Sequence, residues 1–146
     1  MPTHVLARML VSGALTVLAG AVPLAAAAAD APVAGDPVHG KAVYAMCMYC
    51  HGIDVTRVGP MHRGLFGRTA GTLPGYAYSA AMKKAGAKGL VWNAKTLDAY
   101  LTNPQKVVPG TKMLFGGIAD AKTRADLIAY LAEATAVTPK AAAAPQ

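Results

Sequence analysis

Apolar residues recur at helical spacing in two stretches at opposite ends of the chain, and the ground between them is broken by glycine and proline. From Asp120 to Thr135 the residues Leu127, Tyr130, Leu131 and Ala134 form one stripe, the clearest helical pattern in the sequence. Near the other end, Asp36 followed by Pro37 reads as an N-cap with proline at the first helical position. That helix would carry Gly40, Tyr44 and Cys47 on one face. Glycine at its start permits another helix to cross closely, so the C-terminal stripe is the expected partner.

Between these helices Gly59-Pro60, Gly64, Gly67, Gly71 and Pro74-Gly75 leave no room for a long element from Gly52 to Tyr78. A loop of that length inside a compact domain needs something else to organise it. Ser79 can cap a turn or two through Lys84, and Asn93 can cap a segment with Leu97, Tyr100 and Leu101 on one face, stopped by Asn103-Pro104. No pair of strands is evident, so the fold class reads as all-α.

The N-terminus changes the picture of where this domain works. A polar start with His4 and Arg8 precedes an uncharged run from Met9 to Ala29, interrupted by Pro23 and closed by small residues. This is the layout of a cleaved secretory signal peptide over 1–29, with a peptidase site near Ala27 to Ala29. An uncleaved anchor is the alternative, since about 20 apolar residues can span a bilayer. Residues 30–35 then read as a flexible lead-in, 36–136 as one domain, and 137–146 as a disordered Ala/Pro tail.

The chain has 146 residues, a formal net charge of +7 and a pI of about 9.6. Loss of Arg8 with the leader would leave a charge of about +6. Such a surface attracts acidic partners at long range, with association that weakens as salt rises. Nucleic acid is not the expected partner, because no basic helix face or RNA-binding motif is present. Few carboxylates occur and none is paired for acid/base work, so no hydrolytic site is expected.

The candidate chemistry lies in Cys47-Met48-Tyr49-Cys50-His51, which contains both cysteines of the chain. C-x-x-C-H is the spacing for covalent haem attachment: each thiol can form a thioether to one vinyl group, and the adjacent histidine can offer the iron an imidazole nitrogen. A thioredoxin-like pair would need a strand before it, which is lacking, and a disulfide closing so small a loop would stabilise little. For a second iron ligand, Met113 stands apart from the methionines that fill cores. It sits in the irregular stretch Pro109-Gly110-Thr111-Lys112-Met113, free to be delivered to a cofactor. A thioether opposite histidine favours ferrous iron, as suits an electron carrier.

From about Gly40 to Thr135 the sequence resembles the class I cytochromes c, closest to the mitochondrial cytochrome c and bacterial cytochrome c2 branch. The resemblance rests on Cys47 to His51, Gly59-Pro60, Gly64 to Arg68, Pro74 to Tyr78, Trp92, Thr96-Leu97, Tyr100-Leu101, Asn103-Pro104, Pro109 to Met113, and Asp126 to Leu131. It implies a class I cytochrome c fold with packed terminal helices around one covalently attached haem c. Cys47 and Cys50 would be the anchors, His51 the proximal iron ligand and Met113 the distal one. Pro60 would accept the His51 ring N–H through its carbonyl. Arg68, Tyr78 and Trp92 match residues around the haem propionates, Tyr100 and Thr111 flank the methionine ligand, and Phe115 lies near the exposed haem edge.

The implied function is that of a soluble periplasmic one-electron carrier rather than an enzyme. It would be a monomer without membrane insertion after cleavage, docking on acidic surfaces of a donor complex or dehydrogenase and of an oxidase or reaction centre. The alternatives are a membrane-tethered electron-transfer subunit and a haem enzyme or gas sensor with an open sixth position. The sequence also departs from the family. The loop after His51 is short, a stretch from Ala85 to Gly89 is extra, and Met82 replaces an asparagine that contacts a buried water. Lys106 and Lys112 match the lysines around the haem edge, but Met46, Gln105, Ala119 and Asp120 occupy other positions often held by lysine. Lys83, Lys84 and Lys88 place positive charge on another side.

Overall fold

A computed structural model describes residues 33–137. The proposed signal peptide, the start of the lead-in and nearly all of the proposed tail lie outside the described residues.

Helix α1 spans Pro37–Tyr44. The Asp36 carboxylate accepts from the N–H groups of Val38 at 2.9 Å and His39 at 3.2 Å, so two of the helix's unpaired donors are satisfied. Regular α-helix stops at Tyr44, short of Cys47. Beyond it the chain tightens, with Cys47 N–H donating to the Tyr44 carbonyl at 2.8 Å and Met48 N–H to the Ala45 carbonyl at 3.3 Å. The Cys47 carbonyl then accepts from both Cys50 at 3.1 Å and His51 at 2.8 Å. The Cys-to-His motif is therefore a compact hydrogen-bonded turn set rigidly on the end of α1.

Helix α2, Ala80–Ala87, is capped by Ser79, whose hydroxyl accepts from Met82 N–H at 3.1 Å. It runs a turn beyond Lys84, so much of the extra stretch is helix. Gly86 lets this last turn lie against the loop: its bare Cα faces the Ala70 carbonyl, where any Cβ would overlap that oxygen. The exit from α2 is tied to the same loop through Ala70 N–H donating to the Leu90 carbonyl at 2.9 Å. Thr69 and Val91 form an isolated antiparallel bridge, and no longer strand occurs among the described residues.

Helix α3, Ala94–Thr102, begins with a reciprocal capping box between Asn93 and Thr96. Asn103-Pro104 ends it and also starts the short helix α4, Pro104–Val107, because the Asn103 side chain accepts from Lys106 N–H at 3.0 Å. Helix α5, Ala121–Ala134, is capped by Asp120 and buries Leu127, Ile128 and Leu131. Arg124 is nearly buried between α3 and α5, with Nε donating to Asp98 at 2.7 Å and Nη1 to the carbonyls of Ile118 and Ala119 at 2.8 Å. At the far end of α5, Arg63 Nη1 donates to the Ala134 and Ala136 carbonyls at 2.8 and 2.9 Å. The glycine-rich loop is thereby tied to that helix end.

The terminal helices pack on each other, as their apolar spacing predicts. Gly40 lies against the Asp126 carbonyl so closely that a Cβ would collide with it. One turn on, the rings of Tyr44 and Tyr130 meet with centroids 5.3 Å apart. The Asp126 side chain, 2% exposed, closes the crossing. It accepts from Asp36 N–H at 2.8 Å and contacts His39 Nδ1 and Lys122 Nζ, each at 2.7 Å. The Lys122 ammonium, followed by the Asp36 N–H and His39, holds the Asp126 carboxyl well below the usual carboxylate range against the opposing effect of desolvation.

Two outcomes follow from this crossing. Gly40→Ala gains about 1 kcal/mol of helix propensity, but the new Cβ must push backbone apart, so a net loss of about 1–3 kcal/mol in urea unfolding is expected. An unchanged midpoint would show that the helices do not meet there. The lowered pKa of Asp126 means that its stabilisation is present above about pH 4 and lost as pH falls below that. Asp126→Asn should flatten the acid limb of a melting-temperature profile, leaving the smaller slope from Asp54 and Asp120, whose pKa values are also lowered.

Candidate functional site

A largely apolar cavity of about 320 Å³ opens between the Cys47–His51 turn, the loop through Arg68, the start of α2, and the stretch after α4. Leu127 and Leu131 of α5 and Leu97 and Leu101 of α3 back it. Every site residue inferred from the sequence lines this one space: Cys47, Cys50, His51, Pro60, Arg68, Tyr78, Trp92, Tyr100, Thr111, Met113 and Phe115. They come from separate stretches between Cys47 and Phe115, so only the folded protein assembles them.

On the side nearest α1, His51 is 9% exposed and its Nδ1 lies 2.7 Å from the Pro60 carbonyl oxygen. A carbonyl can only accept, so Nδ1 carries the hydrogen and Nε2 keeps its lone pair. Burial lowers the His51 pKa, with the hydrogen bond to Pro60 opposing, so the ring is neutral and able to donate to a metal. Gly59 presses on this ring, and a Cβ there would overlap it. Gly59 N–H also donates to the Cys50 carbonyl at 2.7 Å, which fixes the Gly-Pro corner against the motif. The two cysteines are not joined to each other by a disulfide. Burial, and then the neighbouring Cys50, push the Cys47 thiol up to about 11.

Met113 is carried by a loop with its own scaffold. Tyr100 and Thr111 hydroxyls are 3.1 Å apart, and Thr111 Oγ1 accepts from Met113 N–H at 3.3 Å. Gln105, at a position often held by lysine in the family, clamps the loop from outside. Its amide nitrogen donates to the Thr111 carbonyl at 3.1 Å and its oxygen accepts from Gly110 N–H at 3.3 Å. Gly110 has φ of 87°, a conformation that favours glycine and turns the chain toward the cavity. Met82 is 8% exposed and packs in the wall as part of the core.

Arg68 is less free than its expected role implies. Nη1 donates to the Arg63 carbonyl and Nη2 to the Met61 carbonyl, each at 3.1 Å, so the guanidinium braces the loop that bears Pro60. Its Nε is buried without a partner. An orphaned donor in a cavity wall costs about 1–3 kcal/mol, and a carboxylate within the cavity would satisfy it. Burial lowers the Arg68 pKa, with nearby Tyr78 opposing. Trp92 packs on Tyr100 with ring centroids 5.0 Å apart, so both walls share one aromatic joint.

These features fit a haem. An apolar slot receives the macrocycle, two thiols and a neutral imidazole stand on one side, a thioether stands in the wall, and an unpaired cationic donor suits a propionate. At the rim, Lys112 is exposed beside Leu114, which is 98% exposed, and Val58 and Met46 are also exposed. The rim is thus more apolar than lysine-ringed.

His62 also lines the cavity, although no motif in the sequence marks it. Its ring stacks on that of His51 at a centroid distance of 4.3 Å. Burial, then the proximity of His51 and Arg68, bring its pKa down to about 3, so it too is neutral. Its position two residues beyond Pro60 was the available signal, but stacking depends on how the loop folds back.

Comparison with known proteins agrees with this geometry. The family model described as cytochrome c matches residues 37–135. Cytochrome c2 of Rhodomicrobium vannielii is 49% identical over 107 residues, covering 71% of this chain and 83% of the relative. Cytochrome c 2.1 of Caenorhabditis briggsae is 51% identical over 106 residues, covering 70% and 91%. Among solved structures, cytochrome cH from Methylobacterium extorquens superposes with a TM-score of 0.64 at 44% identity, covering 68% of this chain and 99% of that one. The chain belongs to the cytochrome c family, with the class I fold, a covalently bound c-type haem and the work of an electron carrier.

Proposed function

We propose that this cytochrome c is an exported, periplasmic one-electron carrier in which Cys47 and Cys50 anchor the haem and His51 and Met113 ligate its iron. The observation that carries this reading is the delivery of a neutral imidazole and a loop-borne thioether to one cavity. The Nδ1–H of His51 is committed to the Pro60 carbonyl at 2.7 Å, which leaves Nε2 as the ligating atom and raises its basicity. The Tyr100–Thr111 pair and the Gln105 clamp hold the Met113 loop in place. When bound, the haem supplies an iron that takes up and releases one electron.

The remaining residues set the conditions for that exchange. Leucines of α3 and α5 and the Trp92–Tyr100 joint exclude water, which limits solvent rearrangement when the charge changes. Arg68 supplies a fixed positive charge to the propionate side. His51 and Met113 would together hold the iron and leave oxygen no place to bind, so this pair of donors would suit electron transfer over oxygen chemistry. The basic surface favours acidic redox partners, and the apolar rim around Leu114 and Val58 permits close contact once they have met. No helix among the described residues is long and apolar enough to cross a membrane.

Met113→Ala should open the sixth position. The reduced variant is expected to bind carbon monoxide at neutral pH, and its potential should fall on the order of a few tenths of a volt, within the roughly 0.8 V that axial ligands command. An unchanged potential and spectrum would remove Met113 from the iron. The export reading is checked by intact mass of the protein recovered after secretion. A chain beginning near Asp30 is expected, and a retained Met9–Ala29 run would make it a tethered subunit.

A further inference from the structure

The stack of His62 on His51 calls for a reason beyond filling space. Any aliphatic side chain could pack beside an imidazole, whereas here two rings lie 4.3 Å apart with only 20° between their planes. The His62 ring is itself held. Its Nδ1 lies 3.1 Å from the Tyr44 hydroxyl, and its backbone N–H donates to the Gly52 carbonyl at 2.9 Å. Tyr44 is in turn 3% exposed and packed on Tyr130 of α5. A continuous run of contacts therefore leads from the crossing of the terminal helices, through Tyr44 and His62, to the face of His51.

What His51 lacks without this stack follows from its other contacts. The hydrogen bond to Pro60 fixes which nitrogen bears the proton and where one edge of the ring sits. The Gly59 backbone bears on the ring as well, and together the two contacts leave a limited pivot about that bond. A flat neighbour near van der Waals distance resists the pivot, because tilting either ring brings atoms into overlap. We infer that His62 is a positioning residue, locked by Tyr44, that sets the plane of the His51 imidazole relative to the haem.

This inference rests on His51 being the iron ligand. The ring plane matters because an imidazole interacts through its π system with only one of the two iron d orbitals that lie along its axis. The plane therefore decides how unpaired electron density is spread over the haem in the ferric state. A plane held by packing stays the same in both oxidation states, so less rearrangement accompanies each electron transfer. The principle is that groups behind a metal ligand orient it and tune the metal.

The test is proton NMR of the full holoprotein in the ferric state, comparing wild type with His62→Ala, His62→Phe and Tyr44→Phe. The haem methyl resonances report the plane, and strongly shifted His51 side-chain resonances report ligation independently. The expected result is a changed order or spread of methyl shifts in His62→Ala and a smaller change in the same direction in His62→Phe, which keeps a flat ring but, as in Tyr44→Phe, lacks the hydroxyl–imidazole contact. Tyr44→Phe keeps its packing on Tyr130 and should shift the methyls in the direction of His62→Ala. If His62→Ala does not fold, a shift in Tyr44→Phe alone supports the inference, and its absence overturns it. Methyl shifts that stay at wild-type positions in every folded variant, with His51 resonances still paramagnetically shifted, would overturn the positioning role. Absence of those His51 resonances from the wild type would instead overturn the ligand assignment.

Discussion

The structure depends on a backbone-to-backbone contact between its terminal helices. Gly40 brings α1 onto the Asp126 carbonyl of α5 at a distance that no side chain would allow, and the Asp126 carboxylate then ties down Asp36 and His39 at the start of α1. The Cys47–His51 turn is built directly on the other end of α1, hydrogen-bonded back to Tyr44 and Ala45. Its position over the cavity is thus set by how α1 lies on α5. The same crossing supplies Tyr44, whose ring and hydroxyl reach toward the histidine side of the site.

The long irregular segment after His51 is held by polar groups acting on backbone rather than by a core of its own. Arg63 ties it to the end of α5, Arg68 braces Met61 and Arg63 from inside, and Gly59 and Pro60 are locked to the motif. This economy has a consequence at the site. Arg68 carries a structural load with two nitrogens and keeps a buried Nε without a partner. Changing it would disturb both the loop and the charge balance, so its effects on potential and on folding are coupled.

The two sides of the cavity are stiffened differently. The histidine side is organised by flat rings and one carbonyl, whereas the methionine side is organised by hydroxyl and amide contacts along a short loop. Packing of rings leaves little freedom, while a loop pinned by side-chain hydrogen bonds exposed in part to water opens at lower free energy. The Met113 side would therefore open before the His51 side. At the rim the same asymmetry continues, with Lys112 beside a nearly bare Leu114.

Local chemistry made much of this protein legible in its sequence. Capping by Asp36, Ser79, Asn93 and Asp120, the helical stripe of α5, and the C-x-x-C-H spacing depend on neighbours a few residues apart. The irregular loop before it singled out Met113, and the resemblance to cytochromes c added Pro60 and Arg68; the fold brings all three to one cavity. Other features depended on contacts between distant segments, for which spacing carries no signal. Gly86 is needed only because the Ala70 carbonyl lies against it, and Gln105 clamps a loop that must first turn at Gly110. His62 reads in sequence as one histidine in a loop. It meets His51 face to face only after Gly52 has accepted its N–H and α5 has fixed Tyr44 behind it. The residue types and their local turns were set by the sequence, while the ring stack, the clamp and the orphaned Arg68 nitrogen arose from tertiary packing, because each requires groups far apart in the chain to meet within a few ångströms.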